Sequence, residues 1–259
     1  MKLYLSGIVT ALSYWFWEDT KYSLGSFLEM KKPKLLEFVK SWKSQVFLDS
    51  WWYTILKQWL KISVNDYADF LKEYWKYFEV IANMDTWDTK ETLENQKILE
   101  ATWNYILPVY HTFEYINGNR DLFIQYCKKY PYVALWGVVS NKLSKKELLN
   151  FFNYCFKIAM KYKTKLHWFW VTSNSLLRQY PFYSVDSTSW LMTVKYNWYS
   201  QFKNWAIYTV DWNTLKKQGI DIWAKWMAER RFRLSYNARV QYWDFIDKYW
   251  KLRWLEYWN

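Results

Sequence analysis

The feature that most constrains this chain is a succession of short apolar runs, each followed by an amphipathic stretch, spaced roughly 30 residues apart. The runs are KLYLSGIV (2–9), QVFLD (45–49), YFEVIANMD (77–85), YILPVYH (105–111), YVALWGVV (132–139), KLHWFW (165–170) and FYSVD (182–186). These runs read as strands. Segments 63–78, 90–102 and 144–162 carry helical spacing, and two of them open on a capping signal, Ser63 before Asp66 and Ser144 before Glu147. Alternating strands and helices build a parallel sheet with helical crossovers. Seven such strands predict an α/β protein with a (β/α)8 TIM-type barrel, irregularity being allowed in the last strands. A chain of 259 residues suits one such domain, which typically needs about 250. A single barrel domain is therefore expected over 1–259. Within it, 191–218 reads as a hairpin insertion, 204–212 as either an eighth strand or half of that hairpin, and 236–258 as a closing helix.

No run approaches the length of uncharged apolar sequence that a spanning helix needs. The amino terminus, MKLYLSGIVTALSYWFW, begins like a signal peptide but lacks a clean small-residue cleavage site, and its alternating start reads as a first strand. The expectation is a soluble, cytoplasmic protein with no membrane partner. Cys127 and Cys155 both fall in helical stretches and make neither a metal-binding pair nor a disulfide framework, which fits a reducing compartment. No cofactor and no essential metal is expected. The 36 basic and 24 acidic residues give a net charge of +12, compatible with a polyanionic partner and equally with a merely basic soluble protein.

The tryptophan count is anomalous. Glycine at its ordinary usage of about 7% would appear roughly 18 times in this length, yet there are 5 glycines and 22 tryptophans. The deficit and the excess are of similar size. Many tryptophans also occupy turns where backbone chemistry asks for glycine: Trp51 and Trp52 just after a strand, Trp136 beside Gly137, Trp168 and Trp170 at another strand end. This is the pattern expected if UGA codons that the source decodes as glycine are written as tryptophan. The other reading is an aromatic-rich protein.

In an α/β barrel the chemistry lies where the carboxyl ends of the strands converge. Here those ends carry Asp49, Asp85, His111, Gly137, His167 and Asp186. One Asp closing a strand is often only a turn former or helix cap; three at equivalent topological positions point to a site. The two histidines, His111 and His167, suit hydrogen-bonded structural roles better than a metal site. Two carboxylates facing one substrate divide labour as nucleophile and acid/base, the arrangement that breaks and remakes bonds at an anomeric carbon.

At this level the motifs are specific enough to compare. FLDSWWYT (47–54), with glycines at 51 and 52, resembles the DSGGFQ motif of the tRNA-guanine transglycosylases, the queuine tRNA-ribosyltransferase superfamily. VALWGVVSNK (133–142) resembles that family's strand running into a Gly-Gly turn, and LHWFWVTSNSLLRQYPFYSVDSTSW (166–190) its HGxGxT…LL…DSVD stretch. The last two are also similar to small phage proteins related to the deazaguanine transglycosylases that modify DNA. The resemblance covers about residues 45–190.

It implies a pentosyltransferase that replaces guanine with a deazaguanine in tRNA or DNA through a covalent aspartyl-glycosyl intermediate. Asp186 would be the nucleophile and Asp49 the acid/base. Tyr53 would stack on the base with Ser50 assisting, Asp85 would bind the purine edge, and the turn at Trp136 and Gly137 would read the base carbonyl. His111 and His167 would complete the substrate-binding set. Lys195 and the cluster Arg230, Arg231 and Arg233, with Lys225, are the candidates for phosphate contacts, or else a solvated helix face. The tRNA enzymes carry a cysteine-rich zinc site after the nucleophile. This chain has no cysteine beyond Cys155, which favours a shortened relative. Two other classes remain: a non-catalytic aromatic-rich barrel that binds nucleic acid or sugar, and another barrel glycosidase or lyase.

Overall fold

The computed structural model describes residues 1–7, 21–50, 62–102, 105–137, 143–170, 173–188, 191, 199–217 and 225–253, with backbone alone at 174, 199, 212, 215, 225–233, 252 and 253. Nine parallel segments form one sheet: β1 (Lys2–Ser6), β2 (Tyr22–Ser26), β3 (Gln45–Asp49), β4 (Val80–Ala82), β5 (Ile106–Leu107), β6 (Val109–His111), β7 (Tyr132–Trp136), β8 (Lys165–Trp168) and β9 (Ser184–Ser187). Their order is β5-β4-β3-β2-β1-β9-β8-β7-β6. The two ends of that order are joined by a single residue, Pro108. Proline has no N–H to give to a ladder, but its carbonyl still accepts from Ala134 N at 2.9 Å. β5 and β6 are thus one strand interrupted at its proline, and the sheet is a closed ring of eight.

The register fixes the geometry of the ring. Asp186 is partnered by Tyr4, whose level continues to Tyr22 on β2 and Gln45 on β3. Followed through β4 to β8 the level returns to the line of β9 at position 178, eight residues before it started. Eight strands with a shear of eight define the TIM-type barrel, whose inward side chains stack in layers of four from alternate strands. From bottom to mouth the layers are Tyr22, Val80, Tyr132 and Ser184; then Tyr4, Phe47, Leu107 and His167; then Leu24, Ala82, Ala134 and Asp186; then Ser6, Asp49, Val109 and Phe169. Side-chain contacts agree. Within the second layer the rings of Tyr4, Phe47 and His167 lie 4.6 to 6.2 Å apart, and in the first Tyr132 is hydrogen-bonded to Ser184.

Outward residues of the same strands pack under the helices, which is why the strands are apolar on both faces. Val46, Leu48, Ile81 and Ile106 meet α1 (Phe27–Met30), α2 (Pro33–Lys40) and α3 (Val64–Tyr74) through Phe27, Leu35, Phe38, Tyr67 and Leu71. Between β4 and β5 runs α4 (Thr89–Glu100), and α5 (Thr112–Ile116) follows β6 directly. Val133, Leu135, Leu166 and Val185 meet α6 (Arg120–Lys129) and α7 (Lys145–Tyr162) through Phe123, Tyr126, Phe151, Phe152 and Phe156. The capping boxes at Ser63 with Asp66 and at Ser144 with Glu147 both form. A short α8 (Asn174–Gln179) precedes β9.

Two expectations need correction. The eighth strand is β2, in a stretch where no strand was expected. Of the two readings of 204–212 the hairpin holds: the segment contributes β11 (Ala206–Val210), paired antiparallel with β10 (Tyr199–Lys203) in a two-stranded sheet separate from the ring. The region 77–85 keeps only Val80–Ala82 as strand, because a 3-10 turn takes up Tyr77 and hydrogen bonds with α4 hold Asn83 to Thr86 in a turn. After the hairpin and α9 (Trp212–Lys217), helix α10 spans Lys225–Arg253 and reaches the amino-terminal end of β1, where Trp243 Nε1 donates to Met1 O and Asp247 pairs with the terminal amine. Among the described residues no helix is long and apolar enough to cross a membrane.

Phe47, fully buried, is in ring contact with Tyr4, His167 and Phe169. Phe47→Ala is expected to cost about 3–5 kcal/mol, read as a lower urea midpoint. Trp75→Ala, at a half-exposed side chain, should fall within about 0.5 kcal/mol of wild type.

Candidate active site

The carboxyl end of the ring brings together groups that are far apart in sequence. Asp49 is the last residue of β3 and Asp186 the third of β9. Both point inward, because each lies two residues beyond a barrel-lining side chain, Phe47 and Ser184 respectively. Asp186 lies one layer below Asp49, so the two carboxylates occupy adjacent layers of one interior only wide enough for side chains or a small ligand.

Asp186 is fully buried and held at both oxygens. Oδ2 accepts from Ser6 Oγ at 3.0 Å, and Oδ1 accepts from Trp170 N at 2.8 Å. His167 Nε2 faces Oδ1 at 3.6 Å, beyond hydrogen-bonding distance. Asp49 is nearly as buried. Ser50 follows it, its Oγ buried with no hydrogen-bond partner among the described residues.

Across the ring from Asp186, and next to the strand that carries Asp49, Asp85 lies three residues beyond β4 in a turn laced to α4. Asn83 Nδ2 donates to Thr92 O at 2.9 Å, Thr86 N to Thr92 Oγ1 at 2.9 Å, and Asn95 Nδ2 to Met84 O at 2.8 Å. The turn sets Asp85 Oδ2 at 2.7 Å from His111 Nε2. His111 ends β6 with its ring buried. The backbone N–H of His111 donates to Glu114 Oε2 at 2.9 Å, and Glu114 Oε1 accepts from Thr89 Oγ1 at 3.0 Å. Glu114 Oε2 also lies 3.6 Å from His111 Nδ1. Burial opposes a charge on this imidazole. The hydrogen bond to Asp85 and the fields of Asp85 and Glu114 outweigh that penalty and raise it to about 9. His111 is therefore an imidazolium at neutral pH, clamped between two carboxylates.

The strand-end turn at Trp136 and Gly137 abuts this group. The Trp136 ring meets His111 edge-on at 5.4 Å and Trp87 at 5.2 Å. Gly137 has φ +102°, and a Cβ there would lie 2.6 Å from Thr112 Oγ1, so only glycine fits. Thr112 Oγ1 in turn donates to the Gly137 carbonyl at 3.0 Å.

Asp49, Ser50, Asp85, His111, Trp136, Gly137 and Asp186 thus gather at one mouth. His167 does not join them. It sits one layer below Asp186, fully buried, and reaches the mouth only through that carboxylate, because β8 carries it a residue short of the rim. Tyr53 and Lys195 lie outside the described residues, and Lys225, Arg230, Arg231 and Arg233 lie on the α10 backbone with their side chains outside them. Groups that the sequence reading did not single out are Ser6, Glu114, Ser184 and the Trp170 backbone N–H. Of these only Glu114 carried a local signal, three residues after His111 at a helix start. Cys127 and Cys155 are buried in α6 and α7 away from the mouth, burial pushing the Cys127 thiol up to about 12. A cavity of about 350 Å³ lies at the other end of β1, lined by Lys2, Tyr22, Tyr183, Trp243 and Asp247. It is remote from the carboxylates, and barrel chemistry belongs to the opposite face.

Because the folded-state value for His111 is raised, its contribution to stability is complete below the ordinary imidazole range and is lost as pH rises through about 9. The wild-type protein is expected to lose on the order of 2–3 kcal/mol between pH 6.5 and 9.5 relative to His111→Gln over the same range, measured by urea titration. Equal slopes for the two proteins would exclude the charged clamp. No protein-family model, curated protein or solved structure matches the chain.

Proposed function

We propose that the protein is a base-exchange transglycosylase that replaces guanine with a deazaguanine in tRNA or DNA. The observation that carries this reading is the pair of inward carboxylates, Asp49 and Asp186, in adjacent layers at the carboxyl end of one barrel. One of them is gripped by donors on both oxygens, and a third acidic group, Asp85, is fixed beyond the end of β4, next to the Asp49 strand and across the ring from Asp186. The motif resemblance around Asp49, Gly137 and Asp186 supports the same chemistry.

In the forward half-reaction an Asp186 oxygen attacks the anomeric carbon. The C1′–N9 bond breaks, its electron pair leaves with guanine, and Asp49 supplies the proton the departing base takes up. In the second half a deazaguanine gives its N–H proton to Asp49, forms the new bond to C1′, and releases Asp186 as a carboxylate. The balance is base for base, with no oxidation step and no cofactor required. Ser6 and the Trp170 N–H hold the nucleophile so that its attack needs little reorganisation.

Asp85, kept in place by the His111 imidazolium, offers acceptors to a purine edge that presents two donors. An analogue lacking one leaves a buried carboxylate oxygen unpaired. The amides of the Trp136 and Gly137 turn serve the base carbonyl, and Ser50 and Tyr53 serve its face. A target nucleotide within a duplex or stem has to be extruded to reach groups this deep. Lys195, Arg230, Arg231 and Arg233 are assigned to the phosphates that flank it.

Incubation with radiolabelled guanine and either tRNA or duplex DNA is expected to label one of the two polymers. Asp186→Asn should lower the rate by at least about 10³-fold, and Asp85→Asn should mainly raise KM for the base. Loss of guanine from the polymer without incorporation would replace this reading with a glycosylase, and a labelling rate unchanged in Asp186→Asn would overturn it.

A further inference from the structure

A chain of buried polar groups runs down the barrel interior from the nucleophile. His167 Nδ1 lies 2.6 Å from Ser184 Oγ, and Ser184 Oγ is in turn hydrogen-bonded to the Tyr132 hydroxyl. All three side chains are buried in the two layers beneath Asp186, and nothing in the chemistry above uses them. We propose that His167 is a positioning residue for Asp186, locked as the Nε2–H tautomer by the hydroxyl relay from Tyr132 through Ser184.

Both ends of the relay fix its direction. Burial raises Tyr132 far above the ordinary phenol range, so its O–H is a permanent donor. At the other end a lone pair on Nε2 aimed at a carboxylate 3.6 Å away would be repelled, whereas an N–H is attracted. Tyr132 therefore donates to Ser184, Ser184 to His167 Nδ1, and Nε2–H faces Asp186. Burial also holds the imidazole below its usual range, against the pull of Asp186, so the ring is neutral. Its other neighbours are the rings of Tyr4, Phe47 and Phe169. The gap to Oδ1 closes when the carboxylate regains charge on leaving the sugar, which places the effect on breakdown of the glycosyl-enzyme.

The kinetic part of this inference rests on the base-exchange reading; the tautomer does not. Nitrogen-15 NMR of the full chain is expected to show His167 neutral and protonated on Nε2 from pH 5 to 9. Ser184→Ala should shift the ring toward the other tautomer, and Asp186→Asn should move the Nε2 resonance. In exchange assays His167→Leu should lower kcat about 100-fold with KM for the base unchanged, while His167→Gln, whose amide keeps a donor, should recover most of the loss. A wild-type ring protonated on Nδ1, or a His167→Leu enzyme with wild-type kcat, overturns the positioning role. Absence of exchange in the wild type overturns base exchange alone and leaves the spectrum to decide His167.

A separate observation concerns the tryptophans. Among the described residues five non-glycines have positive φ, and three are tryptophan: Trp42 at 58°, Trp170 at 63° and Trp205 at 61°. With 22 tryptophans in 259 residues, chance would place fewer than one in five such positions. Each occupies a place built for glycine. Trp42 follows the C-cap of α2 and is largely exposed, the left-handed residue that ends a helix. Asn204 and Trp205 are the two residues between the paired Lys203 and Ala206, both left-handed, which is the type I′ turn that Asn-Gly makes. Trp170 brings its backbone N–H onto Asp186. Trp243 and Trp250 are different in kind: both are buried, and each indole N–H has a carbonyl partner.

We infer that glycine is the residue this fold requires at positions 42, 170 and 205, and that these tryptophans are UGA codons read as glycine in the source. Peptide mass spectrometry of the protein from its own source is expected to give glycine at 42, 170 and 205 and tryptophan at 243 and 250; tryptophan at the first three overturns the codon assignment. In the recombinant chain, Trp205→Gly should raise the folded-to-unfolded ratio about 5- to 30-fold over Trp205→Ala, and equality of the two would overturn the backbone requirement.

Discussion

Everything at the mouth depends on the shear of eight. It converts the strict two-residue alternation of each strand into layers of four, and so decides which inward side chains share a height. A slip of one residue in any strand would turn its inward set out under the helices. On β9 that would exchange Asp186 for Val185 and bury an aspartate against the α7 aromatics. Register is guarded by both faces at once: Val46 and Leu48 commit β3 to the helical side while Phe47 commits it to the interior ring cluster. The candidate catalytic carboxylates are thus held by apolar neighbours on their own strands, and the hydrogen bonds to Asp186 refine a position that packing has already chosen.

How far this was legible in the chain differs from strand to strand. Seven strands announced themselves as apolar runs, and the capped helices announced their own starts. β2 did not, because YSLGS alternates Ser and Gly with larger residues. Its outward positions, Ser23 and Gly25, are small, and the Ser23 hydroxyl is hydrogen-bonded to that of Ser44 at 2.8 Å. Propensity there is overruled by the ladders to β1 and β3. The hairpin 199–210 has good strand chemistry but only one neighbour each way, so its apolar pattern could not distinguish it from a barrel strand.

The site was readable in its carboxylates and obscure in what holds them. Asp49, Asp85 and Asp186 close apolar runs, a pattern that exists in one dimension. Ser6, Ser184 and the Trp170 N–H matter only because the ring closes β1 onto β9 and β9 onto β8, and no spacing along the chain encodes that. His167 shows the same limit from the other side. As the third residue of a short strand it reads like a strand-end group, yet the position of β8 in the stagger sets it one layer too deep to meet a substrate.

The charge distribution follows from the same arrangement. Among the described residues the mouth gathers Asp49, Asp85 and Asp186, with Glu114 buried behind His111, against one imidazolium, an acidic cluster in a chain whose net charge is +12. If the mouth takes a purine, as the base-exchange reading has it, this cluster would repel a polyanion brought in whole and attract a neutral base through its ring N–H and amino donors. On the base-exchange reading this separation is functional. On that reading the phosphates stay outside the mouth, where attraction to basic side chains is long-ranged and salt-dependent, and only the uncharged base and its sugar would cross into the low-dielectric interior, where the carboxylates act most strongly.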